Sequence, residues 1–258
     1  MIACCKKNGI MHACYHIVRR ILKWGIYILS MSFFKTLYFN FHYFPFSQAI
    51  KLPVILKKVR FISLKGEVII QSDKIKTGMV RIGGMGRNSW CQNPVSKLDF
   101  MGGRLVFGGE CILTSGIHIR VHENALLEIG DRVLSASNLN LLCYYHIKLG
   151  NSVKLGWDIT IMDTDYHPIV DLYSGRPSKI YAPVVIGNNC WIGAKVFIRK
   201  GTKLPDNTIV SSCTVLDRKY KIAPNSVLYG FPATVIAEGY QITEESFYSY
   251  PPVTTRAY

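Results

Sequence analysis

The segment Met162-Asp163-Thr164-Asp165-Tyr166-His167-Pro168-Ile169 sets two carboxylates and an imidazole at alternate positions. Alternate side chains of an extended chain share a face, so Asp163, Asp165 and His167 are expected side by side. The chemistry open to such a trio is general-base catalysis. An imidazole with its ordinary pKa of about 6.5 can take the proton of a hydroxyl as that oxygen attacks an electrophilic carbonyl. A carboxylate on the other ring nitrogen would hold the tautomer and steady the imidazolium. Asp165 and Asp163 both qualify for that place, with Asp158 a more distant third. A turn histidine flanked by turn-capping aspartates is the plain structural alternative.

These residues interrupt a repeat. From Ile186, aliphatic residues recur at Ile192, Ile198, Leu204, Val210 and Leu216, six apart without a slip. Four places after the first five stand Cys190, Val196, Thr202, Thr208 and Thr214, all small or β-branched. Leu149, Leu155 and Ile161 carry the same beat upstream, and weaker echoes begin near Phe107, Leu113, Ile119 and Ile129. A period of six matches neither a helix nor a simple alternating strand. It fits a short strand plus a turn, three of them making a triangular coil of roughly 18 residues, stacked so that neighbours bury a core that one hexad could not. The expected fold is all-β, a parallel β-helix. Under this rule Asp165 takes the fourth place after Ile161, where Val or Thr belongs, and such a breach tends to mark function. Pro168 turns the chain outward, and a loop over residues 163–185 carries Tyr173, Gly175, Arg176 and Pro177. One coil on from Ala194 comes Ser212, so two small residues are expected to lie over one another along a flat groove.

The run Ile186-Gly187-Asn188-Asn189-Cys190-Trp191-Ile192-Gly193-Ala194, the His167-Pro168 pair and the closing Gly230-Phe231-Pro232-Ala233-Thr234-Val235-Ile236 resemble the hexapeptide-repeat acyltransferases. The branch they resemble most is that of the maltose, galactoside and capsular-polysaccharide O-acetyltransferases, over about residues 107–236. The resemblance implies a left-handed coil, a homotrimer and an active site shared between subunits beneath the loop. It implies direct transfer of acetyl from acetyl-coenzyme A to a saccharide hydroxyl of a capsule, exopolysaccharide or lipopolysaccharide unit, with His167 as base. Trp191, Gly193 and Ala194 match the segment beside the coenzyme, and with Ser212 they would line its pantetheine arm. Arg218 and Lys219 are the cations offered to its phosphates; Thr234 and Ala237 stand where the galactoside branch has arginines. Asn138, in Asn138-Leu139-Asn140-Leu141, matches an acceptor-site segment, and Asp158 is assigned with it. N-acetylation of an amino sugar, served by the same base, is the alternative.

The formal charge of +15 is uneven: residues 1–60 hold ten Lys and Arg and no acid. Between Phe33 and Phe46 the rings surround a single cation, Lys35, which suits a membrane interface better than a nucleic-acid platform. Peripheral contact through residues 1–46, a lipid-linked acceptor beneath the inner membrane and no nucleic-acid partner are therefore expected. The apolar stretch Trp24 to Phe34 is bracketed by Lys23 and Lys35 and falls short of the roughly 18–20 residues of a span; a signal anchor is the minor reading. Eight scattered cysteines form no C-x-x-C pair, which points to a reduced, cytoplasmic chain. His118 and His122 raise a zinc-dependent hexapeptide-repeat carbonic anhydrase, but zinc needs converging imidazoles and they lie far upstream of His167, so no metal is expected. A non-enzymatic scaffold is the last rival. The chain is expected to divide into an arm over 1–60, a coil over 61–238 and a polar tail over 239–258.

Overall fold

A computed structural model describes residues 32–84 and 94–243. The readings that fall on residues 1–31, on Met85 and Gly86 of a glycine loop, and on residues 244–258 lie outside the described residues.

The hexad is one edge of a triangular coil. Face one stacks β1 (Val54–Leu56), β3 (Val80–Ile82), β5 (Cys111–Leu113), β8 (Val133–Ser135), β11 (Lys154–Leu155), β14 (Trp191–Ile192), β17 (Ile209–Val210) and β19 (Ser226–Gly230), each parallel to the next. Face two begins with the first half of β2 (Val59–Ile70) and of β4 (Ser96–Phe107). It continues through β6 (His118–Val121), β9 (Leu139–Cys143), β12 (Ile159–Met162), β15 (Phe197–Ile198) and β18 (Val215–Leu216). Face three takes the second halves of β2 and β4, then β7 (Leu126–Ile129), β10 (His146–Leu149), β13 (Val184–Ile186) and β16 (Lys203–Leu204). An antiparallel strand, β20 (Ala233–Glu238), closes the far end on β19.

Registers explain which part of the repeat is legible. Trp191 pairs with Ile209, and Ile209 with Val227, 18 residues on each time. Upstream a coil is longer: Leu127 pairs with Ile147, and Leu139 with Ile159, 20 on. Downstream, every hexad aliphatic from Ile186 to Leu216 is 4 % exposed or less, and so is each fourth-place residue. Each buried aliphatic contributes about 1.5–3 kcal/mol of hydrophobic stabilisation. Asn189, Lys195, Gly201, Asn207 and Cys213, again six apart, all have positive φ. Each lets the chain turn a corner just before the buried small residue. A left-handed residue with a side chain is costly, and Asn bears it best.

The coil starts earlier than expected, at Val54, inside the stretch assigned to the arm. Helix α1 (Phe33–Tyr43) closes its first rung. Asn40 donates to the Val54 carbonyl at 2.7 Å and accepts from the Val54 amide at 3.1 Å, while Thr36 Oγ1 accepts from the Leu56 amide at 3.1 Å. Among the described residues β1 has no strand on its outer side, and these two side chains, one helical turn apart, bond its open edge. Phe39 is wholly buried on the same side.

Candidate active site

At the corner between faces two and three the chain leaves the coil after Met162 and returns at Val184. The inward position after Ile161 falls to Asp163, which is completely buried. Its Oδ1 accepts from the Tyr144 amide at 2.8 Å, and its Oδ2 from the amides of Tyr145 at 2.8 Å and His146 at 2.7 Å. These amides lie in the turn between β9 and β10 one coil below, and the buried carboxylate supplies their acceptor. Burial, and the neighbouring Asp163 carboxylate, push the Cys143 thiol up. The residue that breaks the packing rule is therefore Asp163 rather than Asp165.

Asp165 turns the other way. Its carboxylate lies 2.7 Å from Lys200 Nζ and 3.6 Å from Arg199, and Lys200 also donates to the Lys179 carbonyl. Tyr166 takes a positive φ of 63°, so the segment is not extended and the three polar side chains do not share a face. His167 is exposed; its amide donates to the Asp165 carbonyl at 2.7 Å. Among the described residues, no group is hydrogen-bonded to its ring.

The excursion is an antiparallel arm, bridged at Thr164–Tyr181 and Val170–Pro177. At its tip Asp171 accepts from the Tyr173 amide at 2.9 Å and the Ser174 hydroxyl at 2.7 Å. Those bonds hold the Asp171 carboxyl below the usual carboxylate range, the Ser174 hydroxyl first. Leu172 and Tyr173 project fully into solvent. At the root, Tyr145 stacks on Tyr181 at 5.3 Å beside a cleft of about 560 Å³ lined by Lys179, Tyr181 and Pro183.

The residues expected to meet the coenzyme divide between two corners. Trp191 stands outward on face one, 45 % exposed. The Ala194 amide donates to Ser212 Oγ at 3.1 Å, so these small residues do lie one over the other. Gly193 is buried, and a Cβ on it would come within 2.6 Å of the Ser212 nitrogen, so the two coils stack closely there. Asn138 and Asp158 occupy the same corner, between faces one and two, on earlier coils, where Asn138 Nδ2 donates to Asp158 Oδ1 at 2.8 Å. Arg218 and Lys219 are elsewhere: they follow β18 at the corner that carries the arm. There Arg218 pairs with Asp217 at 2.7 and 3.0 Å. That guanidinium holds the Asp217 carboxyl below its usual range. One subunit thus places His167, Arg218 and Lys219 at one corner and Trp191, Gly193, Ala194, Ser212, Asn138 and Asp158 across face two from them.

Polar residues around the arm's root escaped the sequence reading. Arg120 Nε donates to Asp99 at 2.8 Å, and the Tyr144 phenol beside it favours its cation. The His122 ring stacks on Tyr144 at 4.7 Å, and Tyr144 meets Tyr166 edge-on at 4.9 Å. Burial and the Tyr144 hydroxyl push the Tyr166 phenol up to about 12. His122 and Tyr144 follow the paired inward residues Val121 and Cys143; equating those two would have aligned the rings, but the irregular upstream coil conceals the match. His118 lies beside Asn140 in the register, its pKa lowered chiefly by burial and then by Lys97. Among the described residues no three His, Cys, Asp or Glu side chains converge as a metal set.

No family model matches the chain. It is 30 % identical over 112 residues to galactoside O-acetyltransferase of Escherichia coli K12, covering 43 % of this chain and 54 % of that protein. It is 28 % identical over 113 residues to polysialic acid O-acetyltransferase of Neisseria meningitidis, covering 43 % and 53 %. The chain therefore spans about half the length of the curated relatives it matches. The crystal structure of a polysialic-acid-specific acetyltransferase, 14 % identical, covers 74 % of this chain and 91 % of its own with a TM-score of 0.45, so the fold rests on the coil's own registers. The chain thus combines a hexapeptide-period parallel coil with sequence similarity, over 43 % of its length, to O-acetyltransferases.

Proposed function

We propose that the chain is an acetyl-coenzyme A-dependent O-acetyltransferase acting on a saccharide hydroxyl, with His167 as general base and transfer direct. The observation that carries this is an exposed imidazole on an arm rooted at a coil corner, in a chain whose corner across face two stacks the small residues Gly193, Ala194 and Ser212. The relatives named for galactoside and polysialic acid O-acetylation support the reaction class. Because face two separates the two groups within a subunit, the working site is completed by a second copy, in a left-handed trimer. The acceptor hydroxyl gives its proton to His167 as its oxygen bonds to the thioester carbon. The C–S bond of the tetrahedral intermediate then breaks, and the thiolate takes up that proton. Trp191 and the small-residue strip hold the coenzyme's arm, and Asn138 with Asp158 faces the acceptor. Within a subunit Asp165 is occupied by Lys200 and Asp163 by three amides, so a carboxylate on the imidazole would have to come from another copy.

Thiol release from acetyl-coenzyme A, measured with a β-galactoside and oligosialic acid as acceptors, tests this. His167→Ala should lose about 10²–10⁴-fold in turnover with the coil's melting unchanged. Wild-type turnover in that variant removes the base. Acetylation confined to amino sugars would favour N-transfer.

The cap also favours peripheral membrane contact. Helix α1 packs Thr36, Phe39 and Asn40 on the coil and leaves Phe34 at 83 % and Tyr38 at 56 % exposed, in a stretch without an acid before Glu67. Rings and cations together suit an anionic lipid surface. Among the described residues no helix is long and apolar enough to cross a membrane. Vesicles containing phosphatidylglycerol should retain the full chain and release a Phe34→Ser, Tyr38→Ser, Phe41→Ser variant; equal retention would discard the contact.

A further inference from the structure

The arm that bears His167 is gripped from both neighbouring coils. From below, a column of rings rises along the corner: His122 on Tyr144 at 4.7 Å and 19°, then Tyr144 on Tyr166 at 4.9 Å and 75°. Tyr166 immediately precedes His167 and holds a positive φ, a conformation that a residue with a side chain keeps only when its surroundings impose it. From above, Lys200 reaches both strands of the root, its ammonium 2.7 Å from Asp165 on the outgoing strand and bonded to the Lys179 carbonyl on the returning one. The Lys200 side chain is only 20 % exposed, so this pair is sheltered more than a surface ion pair. Between the two grips the strands are joined by Asp165 N–H to the Ile180 carbonyl at 2.9 Å and Ala182 N–H to the Asp163 carbonyl at 3.0 Å. The root is thus bonded to the coil below, to the coil above and across its own strands, while Leu172 and Tyr173 at the tip stand in solvent.

We propose that Tyr144 and Lys200 are positioning residues for His167, acting through Tyr166 and Asp165 respectively. This rests on the reading of His167 as the base. It assigns Asp165 a different part from orienting the ring. Its carboxylate is the handle by which Lys200 holds the arm at the angle the base requires. Neither Tyr144 nor Lys200 needs to touch a substrate, because an imidazole misplaced by about 1 Å can lose on the order of 10²-fold in rate.

Three variants of the full chain decide this: Tyr144→Ala, Lys200→Met and Lys200→Arg. Two measurements are made on each, amide hydrogen exchange across residues 163–183 and the kcat and KM of thiol release from acetyl-coenzyme A with a β-galactoside or oligosialic acid. Tyr144→Ala and Lys200→Met should each speed exchange at the root and lower kcat about tenfold, with KM for acetyl-coenzyme A within twofold of wild type. Lys200→Arg should restore both. Unchanged exchange, or faster exchange with wild-type kcat, overturns the proposal, as does a loss confined to KM. His167→Ala, assayed alongside, separates the two levels. Its wild-type turnover overturns the base and this inference with it. A dead His167→Ala beside fully active Tyr144→Ala and Lys200→Met overturns this inference alone.

Discussion

Two neighbouring stretches differ sharply in what holds them. From Ile186 to Leu216 the chain is a lattice, with an aliphatic inward, a left-handed corner and a small buried residue in each six. From Asp163 to Ala182 the periodicity stops, and named polar bonds take over: Asp163 on three amides, Lys200 on Asp165, and Tyr166 on Tyr144. Repetition positions the lattice, since every coil is the template for the next. Nothing repeats in the arm, so each contact there is specific and a loss has no substitute. Stability is shared widely in the first region and concentrated at the root in the second.

The sharpest way to break that contrast is Asp163→Ala. Removing the buried acceptor leaves three amides without their partner, and unfolding in urea should show a loss of about 3 kcal/mol. A loss below about 1 kcal/mol would mean that water replaces the carboxylate and that the root is not specially held. Two glycines sharpen the comparison at middle scale. Gly193→Ala would push a methyl against the Ser212 backbone at 2.6 Å and should cost about 2 kcal/mol by forcing coils apart. In the arm, a Cβ at Gly175 meets nothing within 4 Å, but φ is +64°; Gly175→Ala should cost about 1 kcal/mol through backbone strain alone. Equal melting shifts in these two would dissolve the distinction. The smallest effects lie within the lattice. Thr208 donates its hydroxyl to the Pro205 carbonyl at 2.8 Å, whereas the buried Thr202 hydroxyl has no partner. Thr208→Val should lose about 1 kcal/mol and Thr202→Val should lose nothing or gain slightly; the reverse order would show that the corner hydroxyls are not what separates these rungs.

Legibility followed the same divide. The inward aliphatics, the small fourth-place residues and the register of Ala194 over Ser212 could all be read because the downstream coil repeats every 18 residues. Upstream, where coils run to 20, the beat was faint and the ring column of His122 and Tyr144 went unseen. At the site, the alternating aspartates were noticed for the right reason, a breach of the packing rule. The inward slot belongs to Asp163 rather than Asp165, because the spacing of six does not say that the slot after Ile161 is filled two residues on. The cap was read as an arm because Thr36 and Asn40 look like ordinary helix-surface residues until a strand edge lies under them.

What the sequence determined by itself was the coil, through the spacing of side chains that must leave water, since burial depends on periodicity and periodicity is local. Only the tertiary structure decided where the polar groups go: Asp163 inward to amides from the coil below, Asp165 outward to a lysine from the coil above, and His167 to the open edge between them. Those partners lie 17 to 35 residues away along the chain. A hydrogen bond or ion pair depends on exact approach in space, which no local pattern of residue types encodes.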